Sequence, residues 1–250
     1  MSISLTLSPP PPLAAMLERP ALFLDLDGTL LDLVDRPQDV VADAELRALL
    51  RRVDAALEGR VAVVSGRSLA QIDGILGEMA AGMTLSGSHG SEHRWGGIDA
   101  HPVRPPALES IAATLNRKFA GYEGVMIEEK SFGVALHYRL APEMEALAAG
   151  IMQALAEEHG LLVQPGKMMV ELRVPGGDKG RAVRRLMSRE PMAGATPVFV
   201  GDDVTDEAGF RAAGELGGFG ILVGAPRDTL ARYTLPDPDA VHAWLREIAA

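Results

Sequence analysis

Leu22-Phe23-Leu24-Asp25-Leu26-Asp27-Gly28-Thr29-Leu30 is an apolar run that ends in two carboxylates. An ordinary buried strand carries no acid there, because burying an unpaired carboxylate is expensive. A pair of acids at the end of such a strand suits cation binding or acid–base chemistry. The plain structural alternative is a strand closed by an Asp-Gly turn.

Outward from this segment, short apolar runs alternate with helical patterns. The spacing predicts strands at 21–26, 60–64, 83–86, 197–200 and 219–223. Helices are predicted at 43–57, with Leu46, Leu49, Leu50, Val53 and Leu57 on one face, and at 69–76. Strands alternating with helices indicate an α/β fold with a parallel sheet. The middle reads as helix 105–119, strands 125–128 and 133–138, helix 142–158, and strands 161–164 and 168–173. That is an α+β module. Pro105-Pro106 opens it and Val174-Pro175-Gly176-Gly177 closes it, as expected of an insert with hinges. The expected organisation is a flexible proline-rich extension at 1–18, a core at 19–103 and 176–250, and an inserted domain at 104–175.

Composition narrows the function classes. The chain has 250 residues, 47% of them hydrophobic but only 4% aromatic, so Ala, Leu and Val must build the core. A net charge of −10 argues against a nucleic-acid partner, which needs a basic face. An anionic substrate must then be held by local cations or a metal. With no Cys, disulfides and thiolate chemistry are excluded. No apolar run reaches membrane-spanning length, and the start lacks a basic signal-peptide head, so the expectation is a cytoplasmic enzyme with no membrane partner. Trp244 is expected in the core, and His101, His159 and His242 at structural or surface places.

In a parallel α/β sheet, ligands sit beyond the carboxyl ends of the strands. Asp25 and Asp27 end one strand, Ser65-Gly66-Arg67 another, and Gly201-Asp202-Asp203 a third; Asp178-Lys179-Gly180 opens the helix before the third, with Asp178 as its N-cap. Each has a bland alternative. Ser65 could cap a helix, Lys179 could be solvated, Asp202-Asp203 could be a turn before a helix capped by Thr205, and Asp206 could be a first-turn acid. Arg67 could reach substrate or pair with a neighbouring Asp.

The ordered set Asp-x-Asp, Ser, Lys, Gly-Asp-Asp-x-x-Asp resembles the haloacid dehalogenase-like (HAD) phosphotransferases, with their Rossmann-like core. The resemblance implies that Asp25 attacks phosphorus and that Asp27 is the acid and then the base. It implies Mg2+ held by the Asp25 side chain, the Asp27 carbonyl and Asp202. Thr29, Ser65 and Gly66 would bind the phosphoryl group, Lys179 would neutralise charge, and Asp203 and Asp206 would support the site from behind.

The insert lies where a type 2 cap lies in that superfamily. Glu128-Glu129-Lys130-Ser131-Phe132-Gly133-Val134-Ala135-Leu136-His137-Tyr138-Arg139 and Gly166-Lys167-Met168-Met169-Val170-Glu171-Leu172-Arg173 resemble two stretches of the trehalose-6-phosphate phosphatases. One departure is Ser88-His89-Gly90-Ser91-Glu92, where family members often have Gly-x-x-Gly-x-Glu. Alternation places Ala135, His137 and Arg139 on one strand face and Met169, Glu171 and Arg173 on one face of another. The resemblance implies substrate contacts from Arg67, His89, Lys130, His137, Arg139, Lys167 and Glu171. It implies Mg2+-dependent hydrolysis of trehalose 6-phosphate, the last step of trehalose biosynthesis, by a monomer whose partner synthase is a separate chain. The alternatives are a capped phosphatase for sucrose phosphate, mannosyl phosphoglycerate or a hexose phosphate, and a catalytically silent sugar-phosphate sensor.

Overall fold

The computed structural model describes residues 7–34, 40–101 and 103–249. The chain divides into two compact units, one from Met1–Ala100 with Asp178–Ala250, the other His101–Gly177.

The first unit contains α1 (Leu13–Met16), β1 (Pro20–Leu24), α2 (Ala44–Ala56), β2 (Val61–Val64), α3 (Leu69–Leu76), β3 (Thr84–Gly87), β4 (Glu92–Trp95) and β5 (Ile98–Ala100) before the insert. The insert contributes α4 (Ala107–Phe119), β6 (Met126–Lys130), β7 (Gly133–His137), α5 (Glu145–His159), β8 (Leu162–Gly166) and β9 (Met169–Arg173). The first unit resumes with α6 (Lys179–Met187), β10 (Thr196–Gly201), α7 (Glu207–Glu215), β11 (Phe219–Val223), β12 (Tyr233–Leu235) and α8 (Pro238–Ile248).

Among the described residues the core sheet has the order β12-β11-β10-β1-β2-β3-β4-β5. The strands from β12 to β3 are parallel, while β4 and β5 add antiparallel pairs at the edge. That edge hairpin departs from the expected all-parallel sheet; its strands are too short to show a period. β1 is buried along its whole length, as a strand covered on both faces must be. Alternation splits it: Leu22 and Leu24 join the core under α2, α3 and α8, while Ala21 and Phe23 join the core under α6 and α7. The result is three layers, helices on each face of the sheet. Caps define where the helices begin. Asp43 accepts from the Leu46 amide at 2.7 Å, Ser68 and Gln71 form a reciprocal capping box, and Asp178 accepts from the Arg181 amide at 2.7 Å.

β1 pairs with β10 on one side and β2 on the other, Leu24 lying opposite both Val200 and Val63. This is the switch point of the sheet, where an open crevice forms beyond the strand ends. The residues that follow, Asp25, Ser65 and Asp202, therefore reach the same end of the sheet.

The stretch 7–18 corrects the expectation of a loose extension; residues 1–6 lie outside the described part. Leu13 is buried, with Met16 and Leu17 packed on the same core. The Ser8 carbonyl accepts from the Thr234 amide at 3.1 Å. The four prolines cannot continue a helix, but the apolar residues after them have a core to bury against. Trp244 is buried as expected, and His242 bonds the Leu30 carbonyl at 2.8 Å.

In the second unit the sheet order is β6-β7-β9-β8, all antiparallel. Val134, Leu136, Val170 and Leu172 form the apolar face, with Leu108, Ile111 and Leu115 of α4 and Met152 of α5.

Candidate active site

The sharpest feature of the first unit is a buried ion cluster. Lys179, in the first turn of α6, donates from Nζ to Asp25 Oδ1 at 2.6 Å and to Asp206 Oδ1 at 2.6 Å. All three are nearly sealed: Asp25 is 4% exposed, Lys179 3% and Asp206 0%. Asp25 is fixed because its amide continues the β1–β10 ladder, donating to the Val200 carbonyl at 2.9 Å. Asp206 ends a short 3-10 turn, Val204–Asp206, and its second oxygen accepts the Asp203 amide at 2.9 Å. Asp203 caps that turn through the Val204 amide, so Thr205 is not its cap.

Burial and the neighbouring Asp206 and Asp202 hold the Asp25 carboxyl well above the usual carboxylate range, and Lys179 offsets only part of this. Burial disfavours the Lys179 charge, but Asp206 and Asp25 overcome it and keep the ammonium protonated.

Asp25, Asp202 and Asp206 bring carboxylate oxygens within 4.8 Å of one another. A Cβ on Gly28 would lie 2.3 Å from Asp202 Oδ2, and Gly28 has φ +78°. Glycine is therefore needed twice there, for the turn and for the close approach of Asp202. A donor set of hard oxygens with excess negative charge fits a small divalent cation. Asp206 already uses both oxygens on Lys179 and Asp203, which leaves Asp25 and Asp202 as the better-placed pair.

Asp27 is forked onto Arg67, whose Nε and Nη2 each donate to one carboxylate oxygen at 2.7 Å. Of the two expectations for Arg67, this is the pairing with a neighbouring Asp. A planar guanidinium two residues after Ser65 matches a carboxylate two residues after Asp25. Ser65 is buried, its Oγ accepting from the Arg67 amide at 3.1 Å, which leaves the hydroxyl proton to donate elsewhere. The ring of His89 lies against Gly66, where a Cβ would be 2.6 Å from Cε1. Thr29 follows the turn at Gly28. It is fully buried, and its Oγ1 finds no partner among the described residues.

The second unit turns a polar sheet face away from its helices. Register puts Glu128, Ala135, Glu171 and Gln164 in one row, and Met126, His137, Met169 and Gly166 in the next. Lys130 Nζ reaches Glu171 Oε2 at 2.6 Å, crossing β7 above Gly133 and Ala135. Small residues are what that crossing requires, since a Cβ on Gly133 would lie 2.8 Å from Glu171 Oε1. His137 Nε2 is 2.8 Å from Glu128 Oε2. Glu128 was not singled out from the sequence, although its spacing of two from Lys130 was the available signal. Lys167 lies on the turn expected between the two strands, whereas Arg139 lies on a turn beyond β7 and not on the strand face predicted for it, its guanidinium reaching the Lys167 carbonyl at 3.5 Å.

A parallel sheet with these acids and this lysine beyond its strand ends has the fold of the haloacid dehalogenase-like phosphatases. A family model described as trehalose-phosphatase matches residues 23–239. The chain is 39% identical over 241 residues to a probable trehalose-phosphate phosphatase of Sinorhizobium fredii, covering 95% of this chain and 90% of that one. It is 35% identical over 231 residues to the trehalose-6-phosphate phosphatase of Escherichia coli, covering 91% and 86%. A solved trehalose-6-phosphate phosphatase related protein superposes with a TM-score of 0.76 at 26% identity, covering 92% of this chain and 96% of that one. The chain belongs to the trehalose-phosphatase family.

Proposed function

We propose that this chain hydrolyses trehalose 6-phosphate to trehalose and inorganic phosphate, the final step of trehalose biosynthesis. The observation that carries the reading is the sealed Asp25–Lys179–Asp206 cluster with Asp202 beside it, in a chain of this family.

In this reading Asp25 Oδ attacks phosphorus, and the P–O bond to the sugar breaks as an aspartyl phosphate forms. Lys179 holds the Asp25 carboxylate in place and offsets the charge of the incoming phosphate. Ser65 and the Gly66 backbone receive phosphoryl oxygens. Asp27 gives its proton to the leaving sugar oxygen, then takes one from the water that hydrolyses the intermediate. The Arg67 fork orients the Asp27 carboxylate for the second event, and the first requires Asp27 to leave the fork, since a guanidinium on both oxygens favours the charged form. Mg2+ on Asp25, the Asp27 carbonyl and Asp202 would screen the repulsion between carboxylate and phosphate. Lys130, His137, Arg139, Lys167 and Glu171, with Glu128, would read sugar hydroxyls, where an unpaired polar group penalises the wrong sugar. Among the described residues no helix is long and apolar enough to cross a membrane.

Phosphate release is measured from trehalose 6-phosphate, sucrose 6-phosphate and glucose 6-phosphate, with Mg2+ and with chelator. The expected result is Mg2+-dependent release from trehalose 6-phosphate alone. Asp25→Asn is expected to lose turnover by about a thousandfold or more while keeping its thermal midpoint. Preference for another sugar phosphate would overturn the substrate, and turnover by Asp25→Asn would overturn the nucleophile.

A further inference from the structure

The turn after β3 is held in a conformation that its residues do not choose alone. Ser88 and His89 sit side by side at φ +48° and +53°, and Gly90 follows at +93°. Non-glycine residues rarely occupy this left-handed region, and two in succession are rarer still. Such strain persists where the surroundings over-determine it, and it clusters at working sites.

The surroundings are identifiable. The Ser88 amide donates to the Arg67 carbonyl at 2.7 Å, and the His89 amide to the Ser65 carbonyl at 3.0 Å. A Cβ on Gly90 would lie 2.4 Å from the carbonyl oxygen of Asp178, the residue before Lys179. The turn therefore braces both the Ser65–Arg67 loop and the start of α6. Glu92 holds the turn itself. Its Oε2 accepts the Ser88 hydroxyl at 2.5 Å and the Leu69 amide at 3.2 Å, at the N-terminus of α3. Glu92 is only 7% exposed.

We propose that Glu92 is a positioning residue for phosphoryl transfer. By tying Ser88 to the α3 N-terminus, it presses the Ser88–Gly90 turn onto the Ser65–Arg67 loop and keeps that loop in the shape that receives the phosphoryl group. Glu92 touches no reacting atom. The inference rests on the phosphatase reading above, though not on which sugar is released.

Glu92→Gln, Ser88→Ala and the double variant are compared with the wild type on whichever phosphomonoester the wild type turns over best. Inhibition by orthovanadate, which mimics the five-coordinate phosphorus of the transition state, is measured beside inhibition by inorganic phosphate. Each single variant is expected to lose kcat by about tenfold or more with little change in KM, since a small misplacement near the chemistry has that effect. The double variant should be no worse than the worse single one, because both changes cut the same link. Orthovanadate should weaken more than phosphate. Folded variants with wild-type kcat would overturn the proposal. So would a loss that follows the folded fraction alone and weakens both anions alike. Ser88→Ala keeps the Glu92 bond to Leu69, so it decides the matter if Glu92→Gln does not fold. A wild type that prefers another phosphate ester would overturn the substrate assignment while leaving this comparison intact. A wild type inert on every ester would overturn the phosphatase reading, and the two anions would then decide the positioning role.

Discussion

Lys179 is the residue on which the most depends. It is a buried cation held by two buried carboxylates at 2.6 Å each. Breaking such a cluster by removing one partner costs more than the pair ever contributed, because uncompensated charge stays behind. Lys179→Met leaves Asp25 and Asp206 facing each other without their ammonium. The expected loss is about 3–5 kcal/mol of folding stability, read from urea unfolding in the presence of chelator. Stability within about 1 kcal/mol of wild type would show that the two acids do not depend on the ammonium for the fold. The lysine was legible in the sequence as the residue after a helix-capping Asp178. Its bond to Asp206 was not, since 27 positions separate them and the packing of α6 on α7 brings them together.

At the scale of elements, the short strand β4 carries a pH dependence of its own. His93 is buried, and burial together with Arg185 and Arg189 pushes its pKa down to about 4. The unfolded chain holds the same imidazole near about 6.5. Between those values the unfolded state binds more protons, so stability is full above the upper value and falls as pH drops towards the lower one. The effect is at most about 3 kcal/mol. Urea midpoints measured from pH 7 to pH 4 should fall less steeply for His93→Gln than for wild type. Parallel slopes would show that His93 is accessible to protons in the folded state. β4, β5 and β12 were all unread in the sequence, for three or four residues cannot display a period. The longer elements were legible; α3 and β11 fall on the predicted 69–76 and 219–223 because a cap or a turn marks each end.

For the whole molecule, two units with separate cores divide the work proposed for them. The first carries the phosphoryl chemistry, and the second presents a polar sheet face whose most buried acid is Glu171, 3% exposed. Glu171→Gln keeps the shape but replaces the charge that Lys130 meets at 2.6 Å. It is expected to lower turnover of trehalose 6-phosphate by about tenfold or more and to leave turnover of p-nitrophenyl phosphate near wild type, as that ester offers no sugar hydroxyls. Equal losses on both esters would place Glu171 in the folding of the second unit instead of in recognition.

The linear chain determined the class of this protein. Buried strands must be apolar, so two acids at the end of 22–30, followed by Ser65, Lys179 and Asp202 in order, stood out against the pattern. Alternation determined which cap residues share a face, because a strand turns its side chains with period two. The pairings themselves were left to the tertiary structure. The Arg67 fork on Asp27, the Lys179 bond to Asp206, the burial of Thr29 and the brace from Glu92 to Ser88 each join side chains across loops or helix ends. Local propensity carries no record of such distances, which are set when the parallel strands fall into register and bring their ends together.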